Sequence, residues 1–220
     1  MFNAAKFPNL VVVDHPIVQH KVTMLRDRGS DSIKFRAVLE ELGMVMGIWA
    51  TDNLSLHDME IVNLHGQPMT GKIIIDSDIV VLPILRTGLV LSNGIEKIIP
   101  MARFGHLGIY HDYEEKSVNK YLVSMPAISE GTRFLVLDGI LGTSGSISEA
   151  VETIVEFGGQ RQNITAIVVT AHVKGIETFY SNNRNKDVRL ITAAIENGYN
   201  DQENPFSSLG NPANRSFWTE

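Results

Sequence analysis

Apolar positions change their rhythm along this chain. In "HPIVQHKVTMLRD", Ile17, Lys21, Met24 and Leu25 fall at helical spacing behind a proline, which predicts a helix entered at Pro16. A second helix is predicted over "IKFRAVLEELGMVMGIWAT", capped by Asp31 or Ser32, with Val38, Leu42, Val45 and Trp49 as its apolar stripe. From Leu54 to Ile75 the pattern shifts to alternation broken by Gly66, Pro68 and Gly71, the signature of short strands or a hairpin. Continuous Val/Ile/Leu runs then follow at 79–85, 106–110, 134–138, 164–170 and 189–194. Runs without alternation are what strands buried on both faces look like. Helical candidates at 88–99, 146–157 and 173–181 lie between several of them. This succession predicts an α/β fold, a three-layer, mostly parallel sheet flanked by helices.

One connection stands out by length. Residues 111–132, "HDYEEKSVNKYLVSMPAISEGT", separate two predicted strands. A link that long is usually functional or carries its own structure, so a lid or protruding hairpin is expected, with an ordinary surface excursion as the alternative.

Composition narrows the classes of function. At 220 residues, with 44% apolar and 20% charged residues, the chain suits a single globular domain with a substantial core. Its formal net charge is −6, and lysines and arginines form no block, so the footprint of a nucleic-acid binder is missing. Cysteine is absent, which rules out thiolate metal sites and fits a reducing compartment. The N-terminal apolar run is short for a signal peptide, and no stretch approaches the ~18 apolar residues of a membrane span. A cytoplasmic location without membrane contact is expected.

Chemistry concentrates where predicted strands end. "FLVLDGILGTSGS" runs from Phe134 to Ser146, an apolar strand closing on Asp138 and tipping into small residues. Gly139, Gly142 and Gly145 keep side chains away, so that backbone N–H groups can face an anion, and Thr143, Ser144 and Ser146 add hydroxyls. The helix that follows would aim its positive end at the same place. A phosphate monoester suits such a cradle, with Asp138 accepting from sugar hydroxyls; a plain helix-capping turn is the alternative. A Walker loop would need a lysine that this stretch lacks, and a dinucleotide fingerprint usually opens its fold. In "VLPILRTGL", Arg86 ends another apolar strand. A permanent charge there calls for an anion such as diphosphate, or for a carboxylate in a structural ion pair.

With these residues assembled, the chain resembles the uracil phosphoribosyltransferase family over nearly its whole length. "HPIVQHKVTMLRD", "SIKFRAVLEELG", "VVLPILRTGL", "GIY", "VLDGILGTSGS" and "IENGYNDQENPFSSLGNPANR" occur in that family's order and approximate spacing. The resemblance implies a type I phosphoribosyltransferase-like fold, a single domain over 1–220. It has a helical arm at 1–51, a hairpin lid at 111–132 and a base-binding hood at 195–215. It implies transfer of phosphoribose from PRPP to uracil, giving UMP and diphosphate. Asp138 would bind ribose hydroxyls and Arg86 would face diphosphate, as the catalytic pair. Gly139, Ile140, Leu141, Gly142, Thr143, Ser144, Gly145 and Ser146 would hold the 5′-phosphate, with His111 and Asn211 also on PRPP. Pro205, Gly210, Asn211 and Pro212 would meet the base. Mg²⁺ would come bound to PRPP rather than to a protein site, GTP is a candidate effector, and a homodimer or higher homo-oligomer is implied.

The same comparison marks departures. Gly139 replaces the family's proline, Ser144 a glycine and His111 an arginine, while Asn211 and Asn214 replace aspartates and Pro205 and Pro212 bring in residues without an N–H. They leave a second reading open, a catalytically divergent or inactive homologue with another base specificity or a regulatory, PRPP- or UMP-binding role.

Overall fold

The structure is a computed structural model that describes residues 2–74, 78–112, 117–181, 184–199 and 205–219, without the side chains of 111, 112 and 117. A short strand β1 (Leu10–Val12) leads into helix α1 (Pro16–Arg26), where Pro16 takes the first turn and the His15 ring accepts the N–H of Ile17. Helix α2 (Ser32–Ala50) is capped by Asp31, whose carboxylate accepts the N–H of Lys34 at 2.8 Å. The alternating stretch becomes an antiparallel hairpin, β2 (His57–Val62) with β3 (Pro68–Ile73). Then follow β4 (Ile79–Leu85), α3 (Thr87–Ile98), β5 (Arg103–Phe104), β6 (His106–Asp112), β7 (Ser117–Ser124) and β8 (Arg133–Leu141). The rest is α4 (Gly145–Glu156), β9 (Ile164–His172), α5 (Val173–Ser181), β10 (Arg189–Glu196) and α6 (Pro212–Phe217).

Among the described residues the main sheet has eight strands in the order β1-β10-β9-β8-β4-β6-β7, with β5 also paired to β4. Every pairing in it is parallel except that of β6 with β7. Apolar residues on one face pack against α1, α2 and α3, and those on the other against α4 and α5, so the fold has the three layers expected. Among the described residues no helix is long and apolar enough to cross a membrane.

The helical stripes differ from the sequence reading. In α1 the buried residues are Val18, Val22 and Leu25, whereas Ile17 is 54% exposed. In α2 the buried face includes Phe35, Val38, Leu39, Leu42 and Met46, while Trp49 is turned partly outward. Both helices carry apolar residues on more than one side, so spacing alone does not say which side meets the sheet.

Strand order places the functional region. β4 and β8 are neighbours, in register from Ile79 opposite Arg133 to Pro83 opposite Leu137. From β4 the chain moves through α3 to one side of the sheet, and from β8 through α4 to the other. The carboxyl ends of two such strands bound a crevice, the usual ligand position in open α/β sheets.

Candidate functional site at the β4 and β8 strand ends

Arg86 follows β4 and caps α3. Its Nη1 donates to the Thr219 hydroxyl at 2.9 Å and its Nη2 to Asn214 Oδ1 at 3.0 Å. Neither acceptor is charged, and among the described residues Arg86 forms no ion pair. Among the described residues the structural carboxylate weighed as an alternative is not found. The guanidinium is oriented and its charge stays available to an anion.

Asp138 sits on the neighbouring strand, where its Oδ1 accepts the N–H of Gly139 at 2.7 Å. Burial pushes its carboxyl up to about 7, against the opposing effect of that N–H. The strand does not stop there. Ile140 and Leu141 remain paired with Thr170 and Ala171 of β9, and Leu141 is buried in the core. Gly139, Ile140 and Leu141, read as loop residues, are thus strand, because β9 offers them partners. The turn is narrower, Gly142 to Ser144, with α4 beginning at Gly145. Ser144 is buried in the left-handed region at φ 74 and its side chain makes no capping bond. The hydroxyls of Thr143, Ser144 and Ser146 have no partner among the described residues, which leaves them free to donate.

The C-terminal segment closes over these strand ends. Gly210 turns at φ 67, Asn211 accepts the N–H of Asn214 at 3.0 Å as the cap of α6, and Pro212 fills the first helical position. A proline loses nothing there, since that N–H has no helical acceptor. Pro212 is buried and rests on Gly139: a Cβ on Gly139 would lie 2.6 Å from Thr87 Cγ2 and 3.2 Å from Pro212 Cγ. Arg215 ties α6 to the link between α1 and α2. It donates to the carbonyl oxygens of Leu25, Leu209, Asp27 and Ser30, and lies 4.2 Å above the Phe35 ring. Glu196 accepts from the Ser208 N–H and from Arg26, pinning the preceding turn.

The structure thus brings Arg86, Asp138, the 142–146 turn, Asn211 and Pro212 to one end of the sheet. The His111 backbone pairs with Val118 in the β6–β7 hairpin, but its side chain, like residues 113–116 of the expected lid and 200–204 of the expected hood, lies outside the described residues.

Beside the turn is a cavity of about 670 Å³ lined by Thr143, Lys174, Thr178, Tyr199 and Pro205. Gly175 lets α5 press against the turn, because a Cβ there would collide with the carbonyl oxygen of Gly142. Buried His172 accepts the Lys174 N–H on Nδ1 and bonds the Gly198 carbonyl through Nε2 at 2.9 Å; Tyr199 meets its ring edge-on. Lys174 and Tyr199 escaped the sequence reading. Lys174 follows the run "ITAIVVTAH", so the strand-end logic applied to Arg86 would have found it.

A parallel sheet with an arginine and an aspartate on adjacent strands, and a small-residue turn opening a helix, is the arrangement expected of a phosphoribosyltransferase. Solved structures share the fold. The AQ2163 protein from Aquifex aeolicus matches with TM-score 0.85 at 25% identity, covering 94% of this chain and 97% of that one. Adenine phosphoribosyltransferase from Trypanosoma brucei matches with TM-score 0.58 at 13% identity, covering 91% and 89%, a likeness of fold. The uracil phosphoribosyltransferase family model matches residues 12–219, and the chain belongs to that family. Its relatives include uracil phosphoribosyltransferases from Ralstonia pickettii, 33% identical over 98% of this chain and 97% of the relative, and from Dictyoglomus thermophilum, 34% identical over 96% and 100%.

Proposed function

We propose that this chain transfers the phosphoribosyl group of PRPP to uracil, giving UMP and diphosphate in pyrimidine salvage. The observation that carries this reading is the placement of Arg86, just past β4, and Asp138, on the neighbouring β8, in a chain matched over 98% of its length by a uracil phosphoribosyltransferase. The 5′-phosphate rests on the Gly142–Ser146 turn, where the free hydroxyls and the start of α4 supply donors. Asp138 accepts from the ribose hydroxyls and counters positive charge that grows on the sugar as diphosphate leaves. Arg86 meets the departing diphosphate, its geometry set by Asn214 and Thr219. N1 of uracil then bonds to the anomeric carbon on the face opposite the departing oxygen, and its proton passes to the departing diphosphate or to water. Positioning and charge stabilisation provide the acceleration.

Mg²⁺ enters with PRPP as part of the substrate. Its ligands are then mainly the diphosphate oxygens of PRPP, and Asn211 and Asn214, standing where the family has aspartates, bring no charge toward it. The β6–β7 hairpin acts as the lid and residues 195–215 as the hood over the base, within one domain. Exposed Ile48 and Trp49 on α2, with Leu64 at the tip of the β2–β3 hairpin, support a homodimer. The absence of cysteine fits work in the cytoplasm.

The test is incubation with Mg-PRPP and a panel of bases, following nucleotide and diphosphate. UMP is the expected product, and GTP added to the same assay probes an effector role. Bound PRPP without UMP, at high protein concentration, would overturn the reading in favour of another base or a regulatory role. The missing N–H groups of Pro205 and Pro212 make the base panel the informative part.

A further inference from the structure

The turn proposed to hold phosphate has a chemical peculiarity: from Gly139 to Ser146 it contains no cationic residue. Backbone donors and hydroxyls can orient a phosphate monoester, but a dianion is held more firmly where a fixed positive charge faces it. The fold supplies such a charge from elsewhere. Lys174, in the first turn of α5, shares the 670 Å³ cavity with Thr143 of the turn.

Two contacts hold Lys174 at that place. Its own N–H is fixed on Nδ1 of buried His172, and its neighbour Gly175 abuts the Gly142 carbonyl, so the first turn of α5 cannot swing away from the phosphate turn. Its ammonium is exposed and makes no hydrogen bond or ion pair among the described residues. The chain otherwise pairs many of its lysines, as Lys21 with Glu41 and Lys120 with Glu149 and Glu156. Among the described residues the other lining groups are hydroxyls, a tyrosine ring and a proline.

We propose that Lys174 is the cation of the phosphate site, pairing from α5 with the 5′-phosphate of PRPP and of the product nucleotide while Thr143 donates from the turn. A nucleoside 5′-monophosphate is a suitable occupant, because a cavity of this size matches small-molecule sites and the Tyr199 ring offers an apolar wall beyond the charged end. The inference rests on reading the turn as the phosphate site and adds to it a residue from the next strand-and-helix unit.

The experiment is calorimetric titration of UMP into wild type, Lys174→Met and Lys174→Arg, in low salt and in 0.5 M salt on the order of a 4 Å Debye length. Methionine keeps the length of the stem and removes the charge. Lys174→Met is expected to bind UMP about 10-fold more weakly in low salt, a loss of the size a charge-assisted contact gives. Lys174→Arg is expected to remain within about 3-fold of wild type, and the gap between wild type and Lys174→Met is expected to shrink in high salt. The proposal falls if Lys174→Met binds within about 2-fold of wild type, if Lys174→Arg is as weak as Lys174→Met, or if the gap ignores salt. If wild type itself binds neither UMP nor PRPP, the phosphate turn is misread, an outcome distinct from failure of Lys174 alone.

Discussion

Ser144 is the residue where this chain bends the turn against its own side chain. A serine at φ 74 carries strain on the order of 1 kcal/mol, which glycine would not. Ser144→Gly is expected to raise the melting temperature by about 2–4 °C, a shift read by thermal unfolding without ligand. An unchanged or lowered midpoint would mean that the buried serine hydroxyl does compensating work. Asp138 makes a second residue-scale prediction. Its folded pKa of about 7 lies above the ~3.9 of an unfolded chain, so between those values the folded protein holds a proton that the unfolded chain has lost. The stability the group allows is therefore greatest below about pH 4, falls as pH rises to about 7, and is level beyond. Asp138→Asn keeps an acceptor for the Gly139 N–H and removes the buried charge. Relative to wild type it is expected to gain nothing near pH 4 and on the order of 4 kcal/mol at pH 8, while PRPP turnover drops at least ~100-fold. A pH-independent difference in melting temperature would refute the assigned cause. Both residues were legible in the sequence, one as an aspartate at a strand end and the other as a hydroxyl in a glycine position. Neither the left-handed backbone nor the raised pKa was legible, since these depend on what surrounds the turn.

Among the elements, α6 decides how the strand ends are presented. Its contact with β8 is fitted in size: Gly139 lacks the atom that would strike Thr87, and Pro212 lies over the space left. Gly139→Ala is expected to cost about 1–3 kcal/mol through overpacking. Thr87→Ser, which deletes Cγ2, is expected to recover part of that loss, and a double-mutant cycle by denaturant unfolding measures the coupling. Additive effects would show that the two positions do not meet. Arg215 holds the other side of α6. Arg215→Ala removes its carbonyl contacts and the stacking on Phe35, and is expected to raise the KM for uracil several-fold while leaving the α1 and α2 packing cooperative. An unaltered uracil KM would separate this anchor from base binding. The bonds from Arg215 to Leu25, Asp27 and Ser30 could not be read from spacing, because partners 185 to 190 residues apart in sequence come together only once the sheet has formed.

At the scale of the molecule, the continuous apolar runs gave the parallel sheet and its layers, since a strand covered on both faces must be apolar throughout. Strand order was beyond that pattern, and with it the adjacency of β4 and β8 that joins Arg86 to Asp138. The faces of α1 and α2 were also beyond it, because each helix has more apolar surface than the sheet covers. That surplus supports association: a stable dimer is the expected result of light scattering across a dilution series, and a persistent monomer would overturn it. The outermost pairing of the sheet has a kinetic consequence. β1 lies parallel to β10, with Leu10 opposite Leu190, so among the described residues the first strand in sequence joins the last. Closing so long a loop is entropically costly, and only three residues on each side repay it. In refolding this strand should dock late, and at equilibrium its amide hydrogens should exchange faster than those of β8 and β9, making the N-terminal edge the place where the molecule first opens.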